Sequence, residues 1–194
     1  MTQSNPLSCR LRSASPQDAS ELAKLKLLCW HHAYQGLMSK ATLDALDATS
    51  ETPHWRSWLA DEKAGLIACL LENAEGLIGY GLAGPMRLGD RPDNEIQADS
   101  ELYALYIHPA YQRQGHGRHL FMAMVERLVG AYYQSAGSWM MGGNHKAEHF
   151  FEKMGGLEVG KRVDIRNGRI AYREKAWCWR DLKQVQARLT LRTV

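Results

Sequence analysis

Charge excess and long apolar runs are both scarce in this sequence, and each scarcity removes a class of function. The formal net charge is only +3 over 194 residues, which leaves no basic footprint for a phosphodiester backbone, so no nucleic-acid partner is implied. The longest purely apolar run, Leu66 to Leu71, stops at Glu72 and falls far short of the roughly twenty residues that a membrane helix needs. Residues Met1 to Leu11 contain no apolar core of a secretory signal. No membrane partner is expected, and the expected compartment is the cytoplasm. Cysteine is sparse as well: Cys9, Cys29, Cys69 and Cys178 form no pair at redox or metal spacing, and three of them sit among apolar neighbours. They read as reduced packing residues. None stands near a base in a nucleophile pattern, and no internal repeat or low-complexity segment occurs.

What is present is the balance of a globular protein, 45% hydrophobic and 23% charged, in a length that suits one domain with a real core. The expected organisation is a single domain over residues 1–194, with its core at about 9–180 and a C-terminal tail at 181–194. The alternation through Cys9 and Leu11 predicts a short first strand. Ser15 can cap a helix with Pro16 at its first position, and Leu22, Leu25, Leu28 and Cys29 repeat at helical intervals toward an end near Gly36. Leu37, Leu43 and Leu46, then Trp55, Trp58 and Leu59, predict a second helical segment broken at Thr52-Pro53. Gly65 to Leu71 and Leu77 to Ala83 read as strands joined by a hairpin turn. The turn-rich stretch from Gly84 to Ser100 holds Asp90, Asp93, Glu95 and Asp99 against Arg87 and Arg91. It faces water as an ordinary solvated face, or favours a cationic ligand.

The chain is organised around Glu101 to Leu128. Leu102, Ala104, Leu105, Tyr106 and Ile107 form an apolar strand ended by Pro109. Gln112-Arg113-Gln114-Gly115-His116-Gly117 follows, and then Leu120, Phe121, Met124, Val125 and Leu128 lie on one helical face. A strand that feeds a helix through such a turn suits a pyrophosphate. The first amides of a helix lack intrahelical partners and carry the positive end of its dipole, while glycine lets backbone approach an anion. Arg113 and Arg118 add cationic reach. Taken by itself, the turn is equally an ordinary strand-to-helix connection. Beyond it, Ser138 to Met141 reads as a strand and His145 to Met154 as a short helix closed by Gly155-Gly156. Val159 to Ile165 and Ile170 to Trp179 form a hairpin through Asn167-Gly168. From Asp181 on, the pattern allows either a last helix or a trailing end.

Two further motifs compete. His145-Lys146-Ala147-Glu148-His149 has the spacing of an inverted zinc-peptidase motif, but a third ligand is wanting and the spacing alone is not enough. No metal is expected. Gly155 to Lys161 nearly spells a nucleotide P-loop, yet Arg162 stands where Ser or Thr should hold magnesium, and strand-like residues follow in place of a helix.

Gln112, Gly115 and Gly117 resemble motif A of the GNAT superfamily of N-acetyltransferases. The resemblance extends back through Leu105-Tyr106-Ile107-His108-Pro109 and forward to Asn144, Ala147, Phe150, Phe151, Glu152, Lys153 and Gly155, which resemble motif B. It implies an α/β fold with a twisted, mixed, largely antiparallel sheet flanked by helices and splayed near Ile107 at the acetyl-CoA site. It implies acetyl-CoA as acyl donor, held by strand amides of Leu105, Tyr106 and Ile107, by the turn Gln112, Arg113, Gln114, Gly115, His116, Gly117 and Arg118, and by Asn144 and Phe151. The implied activity is N-acetylation of a primary amine on a small molecule or peptide, the alternative being a non-catalytic acyl-CoA-binding module. Trp30 to Trp58 is similar to the substrate-side helices of small GNAT enzymes, or its aromatics are core.

An ammonium group has no lone pair with which to attack, so a base is useful, and the resemblance points to Glu101; its other reading is a solvated edge carboxylate. Amides around Ile107 would hold the developing oxyanion. Phe151 departs from the family pattern, because the usual tyrosine there is thought to protonate the leaving thiolate. Either the thiolate leaves unaided or through water, or Tyr103, Tyr106 or Tyr111 serves. The acceptor amine and the oligomeric state, a homodimer among the options, stay open.

Overall fold

In the computed structural model, which describes residues 9–61, 64–87, 96–166 and 169–191, these strand and helix signals resolve into seven strands and six helices. They are β1 (Arg10–Ser13), α1 (Ala19–Tyr34), α2 (Lys40–Asp44), α3 (Ala48–Ala60), β2 (Ile67–Asn73), β3 (Gly76–Pro85), β4 (Ser100–Ile107), α4 (His116–Gly130), β5 (Ala136–Met141), α5 (His145–Lys153), β6 (Leu157–Arg166), β7 (Arg169–Trp179) and α6 (Leu182–Leu191). The strands form one sheet in the order β1-β2-β3-β4-β5-β7-β6. β1 with β2, β5 with β7, and β6 with β7 run antiparallel, whereas β4 with β5 is parallel. The chain groups into two compact units, one reaching Leu82 and taking in Ala104–Met124, the other holding Ala83–Tyr103 and the chain from Val125. Among the described residues no helix is long and apolar enough to cross a membrane.

In the first unit, Ser15 and Asp18 start the helical run as their spacing predicts. The Asp18 carboxylate accepts from Ser15 N at 2.8 Å and Ser15 Oγ at 2.9 Å, and Pro16 opens a 3-10 turn that leads into α1. Leu22, Ala23, Leu25 and Cys29 give α1 its buried stripe. The break expected at Thr52-Pro53 does not occur, since Pro53 lies inside α3. The interruption falls earlier, where Asp47 caps α3 by accepting from Thr49 N at 3.2 Å and Ser50 N at 2.8 Å. Pro53 lies past the unpartnered first amides and so forfeits one intrahelical bond, a cost the helix absorbs, while Thr52 Oγ1 donates to Ala48 O at 2.7 Å. Trp55, one turn along and buried, docks the helix.

β3 shows why helices cover both faces of this unit. An added Cβ on Gly79 would lie 2.6 Å from Ile107 Cδ1 and 3.6 Å from Leu120, and one on Gly81 2.8 Å from Met124. Glycine there lets α4 lie close to the strand. Tyr80, between them, points the other way, edge-on to Trp55 at 5.8 Å and stacked on Tyr106 at 5.4 Å.

In the second unit, the β5–β7 register sets Ala136, Ser138 and Met140 opposite Trp179, Trp177 and Lys175, with Gly137 and Trp139 opposite Cys178 and Ala176. Opposite residues share a face. One face of this sheet therefore carries Trp177 and Trp179, which pack on Phe151 of α5. The other carries Ala176 and Cys178, packed with Ile96. β6 and β7 form the expected hairpin, with Arg166 opposite Arg169; its Asn167-Gly168 turn lies outside the described residues, as do Asp90, Arg91, Asp93 and Glu95. The chain end left open by the sequence is a helix, α6, with Leu182, Val185 and Leu189 buried. The cysteines are free thiols, and burial pushes Cys29 up to about 12 and raises Cys9 and Cys178. Cys29, Cys69 and Cys178 are buried packing residues, as expected, whereas Cys9 is half-buried.

Asp18 is held down to about 2, chiefly by its bonds from the Arg12 guanidinium, against an ordinary 3.8. Its ionised form is thus favoured by the fold. The stability it contributes is complete above about pH 4 and is lost as pH falls toward about 2. Asp18→Asn is expected to cost about 2 kcal/mol at neutral pH, and urea titrations should show the difference from native shrinking between about pH 4 and 2.

Candidate active site

In the first unit, His108 N still donates to Ile78 O at 2.8 Å at the end of β4, and Pro109, which has no amide proton, then opens a 3-10 turn. Leu105 and Ile107 face α4, as their contacts with Gly81 and Gly79 require, while Tyr106 faces the opposite way. Gln112 spends its side-chain amide on Ile107 O at 3.0 Å, and Gln114 spends its own on Ala110 O at 3.1 Å. Both fix the turn, and the Gln112 backbone amide also donates to Pro109 O at 3.3 Å. Arg113 has φ 63° and Gly115 φ 88°, two left-handed residues flanking Gln114. Left-handed residues are the backbone ingredient of anion-binding concavities, in which successive amides turn to one side. A Cβ at Gly115 would meet nothing within 4 Å, so the approach to the backbone is open.

His116 starts α4, and its first intrahelical bond partner is already past the turn: His119 N donates to Gly115 O at 3.0 Å. The His116 ring is 4% exposed and lies 3.8 Å from Cys9 Sγ through Nδ1. It can present only its amide to a ligand. Gly117 and Arg118 follow in the first helical turn, at the positive end of the helix dipole.

In the second unit, Glu101 is neither exposed nor an edge group. It is 1% exposed, and its carboxylate accepts from Arg87 Nη2 at 2.6 Å, Nε at 3.1 Å and backbone N at 3.2 Å. The solvated reading of Glu101 is overturned. Arg87 was not singled out from sequence, since nothing marks a partner fourteen positions upstream in a loop. Its guanidinium lies 4.3 Å from the Tyr103 ring centroid, and the bonds to Glu101 raise its already high pKa. The parallel ladder of β4 and β5 pairs Ser100 with Ala136 and Glu101 with Gly137. The next link is a side chain, Ser138 Oγ donating to Leu102 O at 2.9 Å. The strands thus leave regular pairing at Leu102, earlier than the expected point near Ile107.

Glu101 and Gly137 share the face that carries Ile96, Met86 and Trp139. Phe151 lies against the opposite face, its ring 5.8 Å from Trp177 and 5.0 Å from Trp179. Asn144 caps α5 by accepting from Ala147 N at 3.2 Å. Trp179 Nε1 donates to Met154 O at 3.3 Å, but the buried Trp177 Nε1 has no hydrogen-bond partner among the described residues. Leaving a buried donor unmade costs about 1–3 kcal/mol. The spacing of Trp177 and Trp179 on one strand face was legible, the missing bond was not.

The three tyrosines considered as acids are poorly suited. Tyr103 donates to Pro85 O at 2.5 Å and burial pushes it up to about 12. Burial raises Tyr106 well above its ordinary value, and its hydroxyl pairs with that of Tyr34 at 2.6 Å. Tyr111 donates to the Glu75 carboxylate, which raises it. The zinc-like motif is spent on ion pairs: Glu148 meets Lys175 at 3.2 Å and His145 at 3.2 Å, and His149 meets Glu152 at 3.7 Å. Among the described residues no group of three or more His, Cys, Asp or Glu is placed to hold a metal.

Residues 26–156 match the family model of the acetyltransferase (GNAT) family. Mycothiol acetyltransferase of Streptosporangium roseum is 38% identical over 88 residues, 45% of this chain but 22% of that protein, so the match spans under a quarter of that relative. The uncharacterized N-acetyltransferase YuaI of Bacillus subtilis is 25% identical over 137 residues, 68% of this chain and 70% of that protein. Among solved structures, the PaiA N-acetyltransferase of Thermoplasma acidophilum in complex with coenzyme A superposes with a TM-score of 0.65 at 15% identity, covering 88% of this chain and 98% of that one. The spermidine/spermine N-acetyltransferase SpeG of Vibrio cholerae gives 0.62 at 17% identity over 94% and 98%. At such identities these two show the fold, and the family model carries the membership: the chain belongs to the acetyltransferase (GNAT) family and is by that membership an acyltransferase.

Proposed function

We propose that the protein transfers the acetyl group of acetyl-CoA to a primary amine of a small molecule or peptide. The observation that carries this reading is the turn from Gln112 to Arg118, with left-handed residues at Arg113 and Gly115 and an open approach at Gly115, leading into the N-terminus of α4. Backbone amides there fit a pyrophosphate, which asks for fixed donors and positive potential more than for side chains. PaiA, of similar fold, was solved with coenzyme A. In this reading the amides of Leu105, Tyr106 and Ile107 pair with the pantetheine arm and the turn from Gln112 to Arg118 holds the pyrophosphate; Asn144 and Phe151 are added by the resemblance to motif B.

The chemistry needs a neutral amine to form the C–N bond while the C–S bond breaks and its electron pair leaves on sulfur. Glu101 is the candidate base. The Arg87 guanidinium keeps the carboxylate oriented and also competes for its lone pairs, so proton transfer passes through water or through displacement of Arg87 by the incoming ammonium. The same face supports a cationic acceptor: the Tyr103 and Trp139 rings each lie under a guanidinium, that of Arg87 at 4.3 Å and of Arg162 at 3.8 Å, positions an organic ammonium could contest. SpeG is named for spermidine and spermine, so polyamines head the acceptor panel, followed by aminoglycosides, amino acids and peptide amino termini.

Thiol release from acetyl-CoA across that panel tests the reading. Binding without release for every amine would favour the acyl-CoA-binding module. Gly117 replaced by Trp sets a large side chain against the cradle and is expected to weaken acetyl-CoA about tenfold or more by calorimetry, with unchanged circular dichroism; undiminished affinity would remove the turn from the site.

Glu101→Gln is expected to keep acetyl-CoA affinity and lower turnover by about ten- to ten-thousand-fold, most strongly where the amine is protonated. A native rate at neutral pH would assign Glu101 to anchoring Arg87 alone.

A further inference from the structure

We propose that the indole N–H of Trp177 donates the hydrogen bond that steadies the departing thiolate, at the place where motif B lacks its tyrosine hydroxyl. This rests on the reading of the protein as an acetyl-CoA-dependent acetyltransferase. Trp177 is 2% exposed, and its Nε1 is the buried side-chain nitrogen left without a partner among the described residues. Native proteins rarely leave such a donor unmade unless a ligand, ion or water completes it. Its neighbour on the same face is treated differently, since Trp179 donates to Met154 O.

Three groups stand nearest to completing Trp177, and none does. Ser138, directly opposite on β5, directs its hydroxyl to Leu102 O at 2.9 Å and accepts nothing from Trp177 Nε1. Glu158, opposite on β6, pairs with Lys175 at 3.0 Å. Phe151, in edge contact at 5.8 Å, has no polar atom on its side chain. The unmade donor therefore stands in contact with the residue whose family counterpart carries a hydroxyl. One hydroxyl is missing, and one buried N–H beside it is unspent.

The chemistry balances without a proton leaving the indole, which is far too weak an acid to give one up. The amine nitrogen bonds the acetyl carbon, the C–S bond breaks, and sulfur takes the electron pair; the base takes the amine proton, and the thiolate gains its proton later from water. A thioester sulfur is a poor hydrogen-bond acceptor and a thiolate a good one, so the bond from Trp177 strengthens as the C–S bond breaks. Stabilisation confined to the transition state and product raises kcat and leaves acetyl-CoA affinity alone.

Trp177→Phe keeps a ring on Phe151 and removes the donor. It is expected to lower kcat tenfold or more, leave acetyl-CoA affinity within about twofold, and leave the melting temperature unchanged or higher, because an unmade buried donor has been deleted. Adding Phe151→Tyr to that variant is expected to recover a large part of the lost rate, which a purely structural role for Trp177 would not allow. A native kcat in Trp177→Phe, or a lost rate with a lower melting temperature and no recovery on adding Phe151→Tyr, overturns the proposal. Should the single variant fold poorly, the wild-type chain decides. The Trp177 Nε1–H resonance is expected to move downfield with coenzyme A and not with desulfo-coenzyme A, and an equal shift with both, or none, overturns the assignment. That measurement needs no turnover, so it separates failure of this contact from failure of the acetyltransferase reading, which the amine panel tests.

Discussion

The close approach of α4 to β3 is the constraint on which the first unit depends. Gly79 and Gly81 have no side chain to spare: a Cβ at Gly79 would strike Ile107, and one at Gly81 would strike Met124 of α4. Two residues of spacing put both on one face of the strand, and Tyr80 between them necessarily faces the other, where it stacks on Tyr106 and meets Trp55. One strand thus fixes the seat of α4 and the seat of α3. The end of β4 is fixed with them through His108 N and Ile78 O, and the turn is tied to that end by Gln112 on Ile107 O. The first amides of α4 are therefore aimed by packing some distance from any ligand. Preorganisation of this kind is what an anion cradle needs, because flexible donors would have to be ordered at each binding event.

The second unit divides its chemistry by the pleat. Glu101, Gly137, Trp139, Ala176 and Cys178 share one face, while Ser138, Trp177 and Trp179 share the other with Phe151. Acyl transfer has two demands of opposite sense, a proton acceptor at the amine and a stabiliser of negative charge at sulfur. In the proposed reaction Glu101 would meet the first demand and Trp177 the second, and the Arg87 guanidinium offsets the charge of the carboxylate.

Most of the architecture was legible because periodicity and capping report local preferences. Ser15-Pro16-Gln17-Asp18 and the glycine turn are statements about neighbouring residues, and each took the form its chemistry dictates. The failures were of two kinds. Pro53 was given too much weight: its missing amide costs α3 one bond, yet the helix continues through it and buries Trp55. The environment of Glu101 was misjudged because its partner lies fourteen residues away in a loop that no periodic pattern describes. The same limit hid the state of Trp177. Alternation predicts which face an indole occupies but not whether its nitrogen finds an acceptor, which depends on Ser138, Glu158 and Phe151 arriving from three other elements.

Phenylalanine at 151 is intelligible once its surroundings are counted as a group. Its ring sits edge-on to both Trp177 and Trp179, and it is buried with them. A tyrosine hydroxyl here would have to be hydrated or bonded within an aromatic cluster that offers few acceptors. Phenylalanine keeps the cluster dry, and a dry surround strengthens whatever donor remains, since the field of one N–H is screened less there than in water. An indole N–H held rigidly by β7 then does for a developing charge what a hydroxyl on a helix would do, without rotamer freedom to lose. Its cost is borne by the unbound state, in which the donor stays unmade, and an interaction completed only as charge develops is the kind that lowers a barrier without deepening the ground state.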